Sequence, residues 1–563
     1  MSQLTTTLGI NNVDNYQADI DAAITAAQDG SIVSRIWDHD HTVWRPDPTE
    51  ITNRLGWLHS PVNMRENIAG ITALVDAVKS DGYERVVALG MGGSSLAPEV
   101  FQKVYGKPAG PDNDYLAVTI FDSTDPDMLR DLESNIELSK TLIIVATKSG
   151  GTVETLSGFK YFYNRIVDTL GAENAGQHFV AITDPGSRLE DIAQKFNFRE
   201  TFLNDPNIGG RYAALSYYGM VAAGLVGVDM ATLLDRAAVM SCNNASQGAG
   251  KDTENLGTKI GIIMGVLAKA GRDKITFIAS PAIESFGDWV EQLIAESTGK
   301  EGKGILPVVG EAVGSPDVYR DDRLFVHLRL PENNADPHDA AVQSLIDAGQ
   351  PVLTLTLTDL YDLGGQFFLW EVATAIASHV IDIQPFDQPN VESAKVLARQ
   401  MVAEYMEKGE LPAGETAPLT AASLETFLAQ AKAGDYISIH AYVNPTAEAN
   451  AAVNELRLAL RDKLKLASTV GYGPRFLHST GQLHKGDGGN GLFIQFTTDA
   501  IEDVDIPDEA GETASTMSFG VLKNSQALGD AQALLGEGRR VIRFNLGQDV
   551  VGGVASLTES LGS

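Results

Sequence analysis

From residue 68 onward, short unbroken apolar runs alternate with longer stretches in which apolar residues return every three or four positions. Arg85-Val-Val-Ala-Leu-Gly90, Thr141-Leu-Ile-Ile-Val-Ala-Thr147 and Phe179-Val-Ala-Ile-Thr183 are runs of the first kind. Each predicts a strand, and the periodicity between them predicts helices over 96–104 and 154–167. Strands without polar alternation are buried on both faces, so the pattern predicts a parallel sheet covered by helices on either side. Gly209-Gly-Arg211 is expected to open a largely apolar helix that reaches Leu225. A second α/β unit begins near Lys274, with strands expected over 274–280, 324–330 and 352–358 and a long helix over 365–380. The first 60 residues read as a helix-bearing arm, helical over 15–27 and aromatic-rich over 37–44. The acidic stretch 499–512 reads as an exposed loop.

A chain of 563 residues is too long for one core and fits roughly two to four domains. The pattern divides it into an N-terminal helical arm (1–67), a first subdomain (68–230), a second (231–410) and a C-terminal α/β extension (411–563). Gly409-Glu-Leu-Pro-Ala-Gly-Glu-Thr-Ala-Pro418 is the expected linker into the extension. Beyond it the pattern partly repeats. Both 340–355 and 531–544 read helix, glycine, strand, and Asp322-Arg-Leu-Phe-Val-His-Leu resembles Asn490-Gly-Leu-Phe-Ile-Gln-Phe. Either a duplicated sub-fold or chance likeness between α/β elements accounts for this.

Hydrophobic content of 44% fits a folded chain. No apolar run approaches the ~18 residues of a membrane span, and the N-terminus lacks the basic head and apolar core of a signal peptide. Cys242 is the only cysteine, which excludes an internal disulfide and a cysteine-built metal site. A cytoplasmic location is the expectation. The net charge of −32 argues against nucleic acid as a partner. It would also repel an anionic substrate, so a phosphate site must be built locally from helix N-termini, hydroxyls and a few cations.

Two loops have that design. Gly90-Met-Gly-Gly-Ser-Ser95 joins a strand to a helix and lets backbone approach an anion. Its spacing is neither the dinucleotide fingerprint nor the Walker loop. Thr147-Lys-Ser-Gly-Gly-Thr152 places three hydroxyls and a lysine at a helix start. Capping explains Thr152 but not the rest of the cluster. Further on, Ile283, Phe286, Val290, Leu293 and Ser297 form a helical stripe. Gln292 and Glu296 sit one turn apart on another face, and the helix ends at Gly299-Lys300. A carboxylate held there could serve as a positioned base; a solvated helix residue is the plainer reading.

The segment Glu296-Ser-Thr-Gly-Lys300, both loops, Gly209-Gly-Arg211 and Phe386-Asp-Gln-Pro-Asn-Val-Glu-Ser-Ala-Lys395 together closely resemble the phosphoglucose isomerase family. Its members interconvert glucose 6-phosphate and fructose 6-phosphate. The resemblance covers roughly 68–395 and implies two sugar-isomerase (SIS-like) parallel-sheet subdomains with the site between them, at the carboxyl ends of strands. It assigns Glu296 as the base that moves a proton through a cis-enediol, and Arg211 as the cation that stabilises that intermediate. A permanently charged guanidinium suits this role. Gly93, Ser94, Thr147, Lys148, Ser149 and Thr152 would hold the phosphate, Gln388 the substrate, and Lys395 the sugar ring. The family's ring-opening histidine has no counterpart in 352–359. His478 or His484, in Leu477-His-Ser-Thr-Gly-Gln-Leu-His-Lys485, could replace it, or both could be ordinary loop residues. This segment resembles the isomerase part of bacterial transaldolase–phosphoglucose isomerase fusions. The resemblance implies no cofactor, no metal and a homodimer. An isomerase that also takes mannose 6-phosphate, and a non-catalytic sugar-phosphate binder, are the alternatives.

Overall fold

The computed structural model describes residues 4–110, 113–245, 255–412 and 414–561. Its sixteen strands form three parallel-type sheets and one small ribbon. A short strand β1 (Thr7–Asn11) comes first. The first sheet follows: β2 (Arg85–Leu89), β3 (Ala117–Phe121), β4 (Thr141–Ala146), β5 (Phe179–Thr183) and β6 (Glu200–Leu203). The second contains β7 (Lys274–Ala279), β8 (Leu306–Val308), β9 (Arg323–Arg329) and β10 (Val352–Thr356). The third contains β11 (Tyr436–Tyr442), β12 (Ala467–Tyr472), β13 (Gly491–Thr497) and, after the ribbon of β14 (Asp505–Ile506) and β15 (Met517–Ser518), β16 (Arg540–Asn545). The α/β class expected from the pattern is what is seen, with parallel pairing throughout the first and third sheets.

All three sheets use one topology. Their orders are β3-β2-β4-β5-β6, β8-β7-β9-β10 and β12-β11-β13-β16. In each, the first strand lies between the second and third, and the fourth lies outside the third. The sequence likeness between 340–355 and 531–544 falls on matching parts. Helix Asp339–Asp347 leads into β10 beside β9, and helix Phe519–Gly536 leads into β16 beside β13.

Three expectations change. The N-terminal arm is not only helical: β1 pairs antiparallel with β10, Thr7 opposite Thr356, and extends the second sheet. Gly209-Gly-Arg211 does not open a helix. Gly210–Tyr212 is a single 3-10 turn, and the apolar helix Tyr217–Val226 starts afresh from Ser216, whose hydroxyl accepts from Tyr218 N–H. The acidic stretch 499–512 is not a free loop. Ile506 is buried against the first subdomain, and Asn164 Nδ2 donates to Glu512 O at 2.6 Å.

Helix Phe286–Thr298 runs through the middle of the molecule. The predicted stripe is real, but the surroundings bury nearly every other position as well. Trp289 is fully buried and meets Phe367 at 4.7 Å between ring centres, with Phe286 and Phe101 against the same ring. Burying such aromatics contributes about 2–3 kcal/mol each and fixes the helix in rotation. That rotation aims Gln292 and Glu296 at one cavity. No described helix is long and apolar enough to cross a membrane.

Candidate active site

A cavity of about 620 Å³ lies where the three subdomains meet. Loops from the carboxyl ends of β2, β4 and β5 form one wall, carrying Gly93 and Ser94, then Thr147, Lys148, Ser149 and Thr152, then Asp184. Gly209-Gly-Arg211 enters from the side. The second subdomain supplies Gln292 and Glu296 from its central helix, and Gln388 and Lys395 from the segment after helix Asp362–Val380. The carboxyl ends of the second sheet's strands do not line the cavity, which corrects that part of the expected placement. The third subdomain supplies Leu477 and His478. Every residue predicted for the site lines this cavity except His484.

His484 lies 1% exposed in the core of the third subdomain, its ring 4.7 Å from that of His440 and 5.2 Å from that of Phe493. Burial, aided by the neighbouring His440 and Lys485, holds its pKa well below the ordinary histidine value. The six-residue helix Gly481–Gly486 turns it inward, away from His478. The expectation for His484 is therefore set aside.

The loops can approach because of glycine. A Cβ on Gly93 would stand 1.8 Å from Gly210 O, so the first phosphate-type loop rests directly on the turn that presents Arg211. A Cβ on Gly299 would stand 2.2 Å from Leu483 Cα, which lets the third subdomain seat itself against the end of the central helix.

Arg211 is 4% exposed, and its guanidinium lies 3.3 Å from Glu296 Oε1. It donates through Nε to Ser297 Oγ at 2.9 Å and through Nη2 to the carbonyls of Pro385 and Asp387. The other Glu296 oxygen accepts from Gln292 Nε2 at 3.0 Å, and the same amide reaches His478 O at 2.9 Å. Glu296 is thus held from both sides and still faces the cavity. Lys300, 1% exposed, anchors Asp387 through O at 2.6 Å and Oδ1 at 2.8 Å. Its pKa falls to about 8 because burial and the nearby Arg211 charge outweigh Asp387.

On the opposite wall Thr147 and Thr152 share a hydrogen bond of 2.8 Å, and Lys148 pairs with Asp184 while donating to Pro206 O at 2.8 Å. Burial raises the Asp184 carboxyl, with Lys148 opposing. His478 Nε2 lies 3.0 Å from Glu154 Oε1. Burial alone would raise the Glu154 carboxyl, but His478 first, then its own backbone N–H and the charge of Lys395, hold it below the ordinary value. Glu154, Gln292, Lys300 and Asp184 had no assigned role in the sequence reading. In the sequence Glu154 is only the first residue of the helix expected over 154–167, and Gln292 only the helical neighbour of Glu296.

The phosphoglucose isomerase family model matches residues 66–305, which carry both loops, Arg211 and Glu296. Over that stretch the chain is similar to the phosphoglucose isomerase family. Among similar proteins, a glucose-6-phosphate isomerase of Rubrobacter xylanophilus is 28% identical over 385 residues, 60% of this chain and 87% of the relative. A probable glucose-6-phosphate isomerase of Methanococcus maripaludis is 29% identical over 357 residues, 57% of this chain and 79% of the relative. The crystal structure of a glucose-6-phosphate isomerase from Chlamydia trachomatis superposes with a TM-score of 0.61 at 18% identity. It covers 72% of this chain and 90% of that one, a likeness of fold. The phosphoglucose isomerase match ends before Gln388, Lys395 and the third subdomain, so those parts rest on the geometry above.

Proposed function

We infer that this chain is an aldose–ketose isomerase interconverting glucose 6-phosphate and fructose 6-phosphate. One observation carries the assignment of roles: Glu296 faces the cavity between Arg211 at 3.3 Å and Gln292 at 3.0 Å, with the hydroxyl-rich loops on the far wall. The phosphate is bound by Ser94, Thr147, Lys148, Ser149 and Thr152, beside the backbone of Gly93. This fixes the sugar with its C1–C2 edge toward Glu296. In ring opening, the C1–O5 bond breaks and O5 gains a proton from His478, whose Nδ1 is the free ring nitrogen while Nε2 is held by Glu154. The C1 hydroxyl proton leaves to water, and the charge of Lys395 favours the freed oxygen. Gln388 orients the hydroxyls.

Glu296 then takes the C2 proton, and the electrons of that bond form the cis-enediol with negative charge across O1 and O2. The fixed guanidinium of Arg211 stabilises that charge. The O2 hydroxyl proton passes to O1, and Glu296 returns the carbon-derived proton to C1, so that C2=O2 forms and the ketose results. Base and fixed cation suffice for this chemistry, so no metal or cofactor is assigned a step. A homodimer in the cytoplasm is part of the proposal, supported by the family alone. The test is formation of glucose 6-phosphate from fructose 6-phosphate with EDTA present, run beside mannose 6-phosphate. Turnover of the first pair supports the reading. Binding of fructose 6-phosphate without turnover would overturn it in favour of a sugar-phosphate binder.

A further inference from the structure

We propose that Gln526, in the third subdomain, is a positioning residue that fixes the Glu154–His478 pair for ring opening; this rests on the isomerase reading above. Gln526 is 5% exposed on helix Phe519–Gly536, and its Nε2 lies 2.6 Å from Glu154 Oε1, the same oxygen that His478 reaches at 3.0 Å. Its Oε1 lies 2.8 Å from Thr124 Oγ1. The chemistry sets the orientation of the amide. An ionised carboxylate only accepts hydrogen bonds, so Gln526 must turn its NH₂ to Glu154 and its carbonyl to the Thr124 hydroxyl.

The platform beneath it is rigid. Thr124 precedes Asp125, whose Oδ1 caps helix Pro126–Ser134 through Asp127 N at 2.9 Å. The other Asp125 oxygen takes Lys523 Nζ at 2.9 Å, one turn before Gln526 on the same helix. Two contacts one turn apart therefore clamp this helix to the end of β3, and the clamp ends on Glu154. A neutral donor is the suitable group there: it favours the ionised carboxylate without adding a charge that would compete with His478. Without it, one of the two hydrogen bonds that hold Glu154 Oε1 is lost, and the aim of the carboxylate at the histidine loosens.

The experiment uses the full-length chain with Gln526→Met, of similar shape without hydrogen bonds, and Gln526→Glu. We expect Gln526→Met to lower kcat about tenfold or more, the worth of one hydrogen bond to a charged group, with KM within about twofold and the melting temperature lower by only about a few degrees. Gln526→Glu can donate to Glu154 only while the two carboxyls share a proton. Its kcat should be recovered at low pH and lost, relative to wild type, as pH rises. A Gln526→Met enzyme with kcat within about twofold of wild type, or loss in both variants that tracks a lower melting temperature with an unaltered pH profile, would overturn the proposal. Wild type that fails to turn over in the same assay would instead overturn the isomerase reading on which it rests.

Discussion

His478 Nε2 lies 3.0 Å from Glu154 Oε1, although 324 positions of sequence separate them. The first subdomain supplies the carboxylate and the third supplies the imidazole, so the pair exists only because the third sheet docks on the other two. Gln482 secures that docking through Gly299 O at 2.9 Å and Asn390 Oδ1 at 2.7 Å, and Arg475 through Asp122 at 2.6 Å.

Specific activity should therefore survive dilution. His478 reaches the cavity within one chain, so the imidazole at the site does not depend on a second copy. Activity measured through the dissociation range, beside sedimentation at the same concentrations, should stay constant. Loss of activity in step with dissociation would show that a second copy completes the site.

Replacing His478 by Gln should slow ring opening, not proton transfer at C2. General acid–base groups contribute about 10²–10⁴-fold, so kcat should fall about a hundredfold with KM little changed. Steady-state kinetics in both directions check this, and an unchanged kcat would remove His478 from the mechanism.

Arg211→Lys keeps a cation but not the fork that spans Glu296, Ser297 and the Asp387 carbonyl. A loss of about 3 kcal/mol in transition-state stabilisation, roughly a hundredfold in kcat, is expected, with fructose 6-phosphate still binding. Wild-type turnover in this variant would place the intermediate's charge elsewhere.

Lys300 gives the site a titration near pH 8. As pH rises through that value its cation is lost, the hold on Asp387 weakens, and kcat/KM should decline. Lys300→Gln has no proton to lose, so its kcat/KM should be lower and flat across the same range. A wild-type profile level to pH 10 would contradict this.

Glu291, one residue from Gln292, faces away from the site and has its carboxyl raised from 4.5 to about 8 by burial, then by Asp288, with Arg457 and Arg475 opposing. Between those values the folded chain holds a proton that the unfolded chain has released. Stability therefore falls as pH rises from 4.5 to 8. Glu291→Gln should remove that penalty, stabilising by about 3 kcal/mol at pH 7 and by little near pH 4.5. Melting temperatures at the two pH values measure the difference.

β2, β4, β5, β7, β9 and β10 were legible from their largely apolar runs, as over Thr141–Ala146, whereas the short β6 and β8 and the strand β3 were not. β1 was not: Thr7-Leu-Gly-Ile-Asn11 is short, half-polar and paired only at an edge. The break between Gly210–Tyr212 and Tyr217–Val226 was hidden because apolar residues continue through it. Glu296, Arg211 and the two hydroxyl-rich loops stand in local motifs, so their meeting at one cavity could be expected from the sequence. Gln526 was not, because its meaning depends on a partner 372 positions away. Of the two histidines, only the three-dimensional turn at Gly481–Gly486 decides which reaches the cavity.

The most direct test of the central claim, that Glu296 carries the proton between C2 and C1, is conversion of fructose 6-phosphate in deuterium oxide. Wild type and Glu296→Gln would be followed by NMR at C2 of the glucose 6-phosphate formed. The account predicts turnover with deuterium entering at C2 for wild type. For Glu296→Gln it predicts almost no turnover, with fructose 6-phosphate still bound. Near-normal turnover and labelling in Glu296→Gln would contradict it.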